Sequence, residues 1–136
     1  MFEYNVDVLR IIDGDTIDVD IDLGFDVWLR NERIRLNGVD TPESRTSDKV
    51  ERLFGVLAKH RVKQYLENDG KGGKVTLISK SFKQEKYGRI MADLRVEGQI
   101  RTLCATLITE GYAVPYRGQS KESIAKDHLA NRERLI

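Results

Sequence analysis

Between Asp15 and Leu23 the chain alternates strictly, with Ile17, Val19, Ile21 and Leu23 on one side and Asp18, Asp20 and Asp22 on the other. A period of two built on β-branched residues commits this segment to a strand with one buried face. Gly24 breaks the run, residues 27–36 resume it as a return strand, and Asn37-Gly38 supplies a turn. A shorter run at residues 4–12 reads as a strand ahead of both. The three outer acids read as a solvated strand face. They resemble the opening of a calcium loop, but its sixth and twelfth positions, which require Gly and a bidentate Glu, hold Leu23 and Leu29.

After Val50 the period changes. Val50, Leu53, Phe54, Leu57, Ala58, Val62, Tyr65 and Leu66 recur at helical intervals, and Gly55 interrupts them at what could be the true helix start. Residues 69–73 end that helix, and residues 75–79 and 89–96 read as two further strands. A second helix carries Ile100, Leu103, Cys104, Leu107 and Ile108 and stops at Gly111. A third, residues 121–134, is highly charged and offers only Ile124, Leu129 and Leu135 for burial, which leaves its docking open. Five short strands with interposed helices, and no repeat or linker, predict one mainly β domain over residues 1–136. The expected architecture is a five-stranded barrel of the oligonucleotide/oligosaccharide-binding type with three α-helices.

Composition narrows the function. At 136 residues, 40% hydrophobic and with 2 prolines, the chain has enough apolar material for a core and too little Pro for a low-complexity reading. No apolar run approaches the roughly 18–20 residues of a membrane span. The first ten residues carry acids where an export signal needs a basic region and an apolar stretch. The chain as given therefore predicts no membrane partner and a cytoplasmic location, with export by another route left open. Lone Cys104 excludes a disulfide framework and reads as core. His60 and His128 are not spaced as ligand partners and read as surface residues, which argues against zinc or Ser-His-Asp chemistry.

The net charge of +1 conceals an asymmetry. Residues 1–48 hold 12 acids and 5 bases, whereas residues 49–136 hold 10 acids and 18 bases. Such a division fits a cation site beside an anion-binding surface, although oppositely charged faces of one fold would look the same. Asp15 shares parity with Ile17 and Val19, so a regular strand aims it at the apolar side. Either a bulge at Gly14 turns it outward, or a cation or arginine sits beside it in the barrel mouth. Asp40 and Glu43 flank Thr41-Pro42, which places two carboxylates and a stiffened carbonyl in one loop. Such oxygens suit Ca²⁺ or Mg²⁺, and they equally suit a turn residue and a helix-start charge. Tyr87 and Arg89 in a basic loop, and Tyr112 and Tyr116 after the second helix, have the composition of a nucleic-acid contact. A solvated loop and rim tyrosines are the alternatives.

Taken in order, four motifs are similar to the staphylococcal nuclease (thermonuclease) family. They are Asp13-Gly14-Asp15-Thr16, Arg35-Leu36-Asn37-Gly38-Val39-Asp40-Thr41-Pro42-Glu43, Lys86-Tyr87-Gly88-Arg89 and Gly111-Tyr112-Ala113-Val114-Pro115-Tyr116. The resemblance runs from about residue 6 to residue 118 and implies the same barrel with three helices. It implies a Ca²⁺-dependent nuclease that hydrolyses phosphodiester bonds in DNA and RNA, single-stranded or frayed, as a monomer. By position, Asp15, Asp40 and the Thr41 carbonyl would hold the metal. Glu43 would activate or orient the attacking water, and Arg35 and Arg89 would meet the phosphate. Tyr87 and Tyr116 would line the nucleotide pocket with Lys86 nearby. A catalytically silent barrel that binds nucleic acid or protein is the alternative.

Overall fold

The computed structural model describes residues 2–84 and 89–135. In chain order the elements are β1 (Phe2–Asp13), β2 (Thr16–Asp22), β3 (Trp28–Leu36), β4 (Val39–Asp40), α1 (Lys49–Leu66), β5 (Val75–Gln84), β6 (Ile90–Val96), α2 (Leu103–Glu110), β7 (Val114–Pro115) and α3 (Lys121–Leu135). Five strands close into a barrel in the order β1-β2-β3-β6-β5, with β1 paired to β5 to complete the ring. All neighbours are antiparallel except β3 and β6. The predicted barrel with three helices is therefore the observed fold. The two-residue strands β4 and β7, which pair outside the barrel, had no signal in the sequence.

Alternation in β2 produces the core as expected for Ile17, Val19 and Ile21, whereas Leu23, expected on the same face, follows the strand and is exposed. Ile17 and Val19 are fully buried with Ile34, Leu36, Leu77 and Leu94 from neighbouring strands. Removing each such side chain from water is worth about 1.5–3 kcal/mol. The outer face of β2 departs from the expectation. Asp18, read as solvated, is only 2% exposed. Register explains this: Asp18 stands opposite Arg10 on β1 and Arg33 on β3. Arg10 Nη1 donates at 2.6 Å, and Arg33 donates through Nε at 2.8 Å and Nη2 at 3.1 Å. Hydrogen bonds from Arg33 first, then Arg10, hold the Asp18 carboxyl below the usual carboxylate range against the opposing effect of burial.

Helix α1 begins six residues before Gly55. Asp48 caps it, accepting from the backbone N–H groups of Val50 at 3.0 Å and Glu51 at 3.1 Å. Its buried face is Phe54, Gly55, Ala58, Val62, Tyr65 and Leu66, while Val50, Leu53 and Leu57 from the predicted stripe face outward. Gly55 is a contact residue rather than a helix start: a Cβ there would lie 2.4 Å from the Glu43 carbonyl oxygen. Ile100, expected on the second helix, precedes α2 and is fully exposed; Thr102 caps α2 instead. Gly111 ends α2 in the left-handed conformation, φ 83°.

Helix α3 docks, and it does so through polar contacts, which is why hydrophobic patterning gave it so little weight. Asn131 donates to the Ala113 carbonyl at 3.1 Å, and Arg134 to the Thr109 carbonyl at 3.0 Å. The Arg132 guanidinium lies 5.4 Å from the centre of the Phe54 ring on α1.

Candidate active site

Three segments converge at one end of the barrel: the β1–β2 turn, the loop after β4, and one face of α3. The turn can approach the loop because residue 14 has no side chain. A Cβ on Gly14 would come within 3.0 Å of Thr41 and of Ala58. Asp13 accepts hydrogen bonds from the Ser44 N–H and hydroxyl, which ties the start of the turn to the residue after Glu43. Asp15 lies in the turn ahead of β2, and its side chain is buried. Its Oδ2 accepts from the Thr41 N–H at 3.1 Å, and its Oδ1 accepts from the Thr16 hydroxyl at 3.0 Å.

Of the two explanations for the parity of Asp15, an arginine beside it is the one found. Arg35 Nη2 lies 3.6 Å from Asp15 Oδ2 and 3.5 Å from Asp40 Oδ1. Nη1 of the same guanidinium donates to the carbonyls of Leu36 at 2.9 Å and Val39 at 2.8 Å. One edge of the arginine is thus anchored to backbone while the other faces two carboxylates. The Tyr116 ring is 6.0 Å from the guanidinium and 41% exposed, at the rim of the same site.

The resulting cavity has a volume of about 350 Å³. Its walls bring together Asp15, Arg35, Asp40, Thr41, Glu43 and Arg89 from the sequence-derived candidates, with Asp13, Glu51, Lys121, Ile124, Ala125 and His128 among the others. Lys86 and Tyr87 lie outside the described residues. The Glu43 side chain is exposed to the cavity and makes no hydrogen bond among the described residues.

His128, read from sequence as a surface residue, is 9% exposed and has its Nε2 at 2.8 Å from Asp40 Oδ2. The available signal was the spacing of Lys121, Ile124, Ala125 and His128, which repeats at three and four residues and gives one wall of the cavity. That face pairs with a polar loop, so an apolar-periodicity argument passes over it.

Asp15 and Asp40 offer hard oxygens on either side of one cationic nitrogen. The Thr41 hydroxyl beside them is buried without a hydrogen-bond partner among the described residues. These oxygen donors fit a hard divalent cation such as Ca²⁺ or Mg²⁺. Among the described residues no three His, Cys, Asp or Glu side chains form a metal-holding cluster, so such a site would be sparse and leave several positions for water and substrate.

Fold and cavity together define a small five-stranded barrel of the oligonucleotide-binding type with an acidic, arginine-bearing site at its mouth. The chain belongs to the staphylococcal nuclease family: residues 33–135 match the family of staphylococcal nuclease homologues. It is 40% identical to the thermonuclease of Staphylococcus intermedius over 85 residues, 62% of this chain and 45% of that one. It is 34% identical to endonuclease YncB of Bacillus subtilis (strain 168) over 110 residues, 80% of this chain and 46% of that one. It is 29% identical to the micrococcal nuclease of Shigella flexneri over an alignment of 144 residues, covering 98% of this chain and 72% of that one. The chain spans slightly less than half the length of the first two relatives. No helix among the described residues is long and apolar enough to cross a membrane.

Proposed function

We propose that the chain is a Ca²⁺-dependent nuclease that hydrolyses phosphodiester bonds in DNA and RNA. The observation that carries this reading is the single cavity that gathers Asp15, Arg35, Asp40, Thr41, Glu43 and Arg89. A phosphodiester resists attack because its oxygens are negative, so hydrolysis needs positive charge at the phosphate and a positioned water. Asp15, Asp40 and a Thr41 oxygen would hold Ca²⁺, whose chemistry is to add positive charge at the phosphate and acidify nearby water. Arg35 meets the phosphate with the edge not anchored to backbone, and Arg89, just ahead of β6, the strand neighbouring β3, lines the same cavity. Glu43 takes the proton of the attacking water, a role open to it because no neighbour among the described residues occupies its carboxylate. Tyr116 stacks on a base or sugar beside Arg35, with Lys86 and Tyr87 assigned to the same surface. Stacking of this kind favours single-stranded or frayed substrate and tolerates any base. That the barrel, the loop after β4 and α3 all wall one cavity supports a single domain over residues 1–136 acting as a monomer.

The test is cleavage of plasmid DNA, single-stranded DNA and RNA by wild type, Glu43→Gln and Arg35→Ala, with Ca²⁺ and with chelator. Cleavage that needs Ca²⁺ and both side chains supports the reading. Tight binding without cleavage in any condition would make the chain a silent binding barrel.

A further inference from the structure

Asp40 is held from two sides. Its Oδ1 faces the Arg35 Nη2 at 3.5 Å, on the side where Asp15 stands. Its Oδ2 is 2.8 Å from Nε2 of His128 on α3. An ionised carboxylate can only accept hydrogen bonds, so this contact requires the imidazole proton on Nε2. The backbone of Asp40 is held as well, because Asp40 pairs with Val114 between β4 and β7. Helix α3 itself is anchored independently by Asn131 to the Ala113 carbonyl and by Arg134 to the Thr109 carbonyl. The imidazole is therefore delivered to Asp40 by a helix that has two further anchors of its own.

We propose that His128 is a positioning residue for Asp40: by donating to Oδ2 it locks the carboxylate so that Oδ1 faces the cation position shared with Asp15. Even on a paired strand a carboxylate rotates about its side-chain torsions, and a bound cation must arrest that rotation at the expense of affinity. A hydrogen bond already in place removes that loss, and outer partners of metal ligands typically change metal affinity by about 10–100-fold when lost. Through His128, α3 becomes part of the site rather than a cap on the barrel. This inference rests on the reading of Asp15 and Asp40 as Ca²⁺ ligands.

The experiment is calorimetric titration of Ca²⁺ into the full chain, with thermal melts in chelator as the control for folding. The proteins are wild type, Asp40→Asn, His128→Leu, His128→Asn and His128→Gln. The glutamine amide nitrogen stands about where Nε2 stands, whereas the asparagine amide is too short to reach Oδ2. Expected are a large loss of affinity in Asp40→Asn and about a tenfold loss in His128→Leu and His128→Asn. His128→Gln should recover to within about threefold of wild type. His128→Asn decides the matter if His128→Leu does not fold. Wild-type affinity in the Leu or Asn variant, or failure of Gln to rescue, would overturn the role of His128 while leaving the Asp40 reading intact. Unchanged affinity in Asp40→Asn, or no Ca²⁺ binding by wild type, would overturn that reading and this inference with it.

Discussion

Gly55 and Glu43 are in backbone contact: a Cβ on Gly55 would stand 2.4 Å from the carbonyl carbon and oxygen of Glu43 and 2.6 Å from the Ser44 nitrogen. The middle of α1 thus sets the position of the loop that carries the proposed catalytic carboxylate. Glycine in a helix interior costs about 1 kcal/mol relative to alanine, and here the close approach is what that cost secures.

Gly55→Ala should destabilise the protein despite better helix propensity. The gain is about 1 kcal/mol, whereas forcing a methyl into packed backbone typically costs about 1–3 kcal/mol. Displacing the Glu43 loop should also lower turnover by about 10–100-fold, since catalytic groups tolerate little misplacement. Thermal melts and a nuclease assay check both expectations. A raised melting temperature with full activity would show that the loop moves aside freely.

Arg35→Lys should lose turnover by about 10²–10³ with a much smaller change in KM, because the lost electrostatic donor acts on charge developing in the transition state. Lysine cannot reproduce a fork with one edge on the Leu36 and Val39 carbonyls and the other facing the cavity. Steady-state kinetics on a short single-stranded substrate separates the two parameters. Near-normal turnover in a folded variant would remove Arg35 from the mechanism.

Chelation should abolish activity and leave the fold in place. Ile17, Val19, Leu36 and Leu77, which hold the barrel together, are at most 1% exposed, and none of them lines the cavity. The melting temperature in chelator should therefore stay within a few degrees of that in Ca²⁺. Mg²⁺ should restore little activity even where it occupies the site: the sparse oxygen set suits either ion, and the choice of Ca²⁺ rests on the resemblance to a Ca²⁺-dependent family. Full cleavage in chelator would contradict the metal assignment.

Asp18 should contribute to acid stability. Its carboxyl pKa is lowered from 3.8 by Arg33 and Arg10, so the folded state binds its proton less readily than the unfolded chain. Its stabilisation is accordingly complete above the ordinary aspartate range and is lost as pH falls below 3.8 through the lowered folded value. At neutral pH, Asp18→Asn should cost about 1–3 kcal/mol, toward the lower end because both guanidiniums are about half exposed. Denaturant titrations from pH 7 to pH 2.5 should show the gap between wild type and variant closing at the acid end. A gap independent of pH would mean that the charge on Asp18 does not matter.

Much of the fold was legible because barrel strands advertise themselves locally. The alternation of Ile17, Val19 and Ile21 states which side of β2 is buried without reference to any distant residue. The candidate residues Asp15, Arg35, Asp40, Thr41, Glu43 and Arg89 were legible as motif members, and all six line one cavity. The fate of Asp18 was not legible, since a solvent-facing strand position becomes buried only when Arg10 and Arg33 arrive on neighbouring strands. The role of Gly55 was left open for a related reason. A glycine that weakens a helix locally can be required by a contact with a loop in another part of the chain.

The barrel, its helices and the residue types at its mouth could be read along the chain, because hydrophobic period and turn chemistry act between near neighbours. That α3 walls the same cavity follows only from the folded chain. That helix buries little apolar surface and is held by hydrogen bonds from His128, Asn131 and Arg134 to partners 88, 18 and 25 residues away in the chain. Polar contacts of this kind depend on direction and distance, and those exist only once the chain has closed on itself.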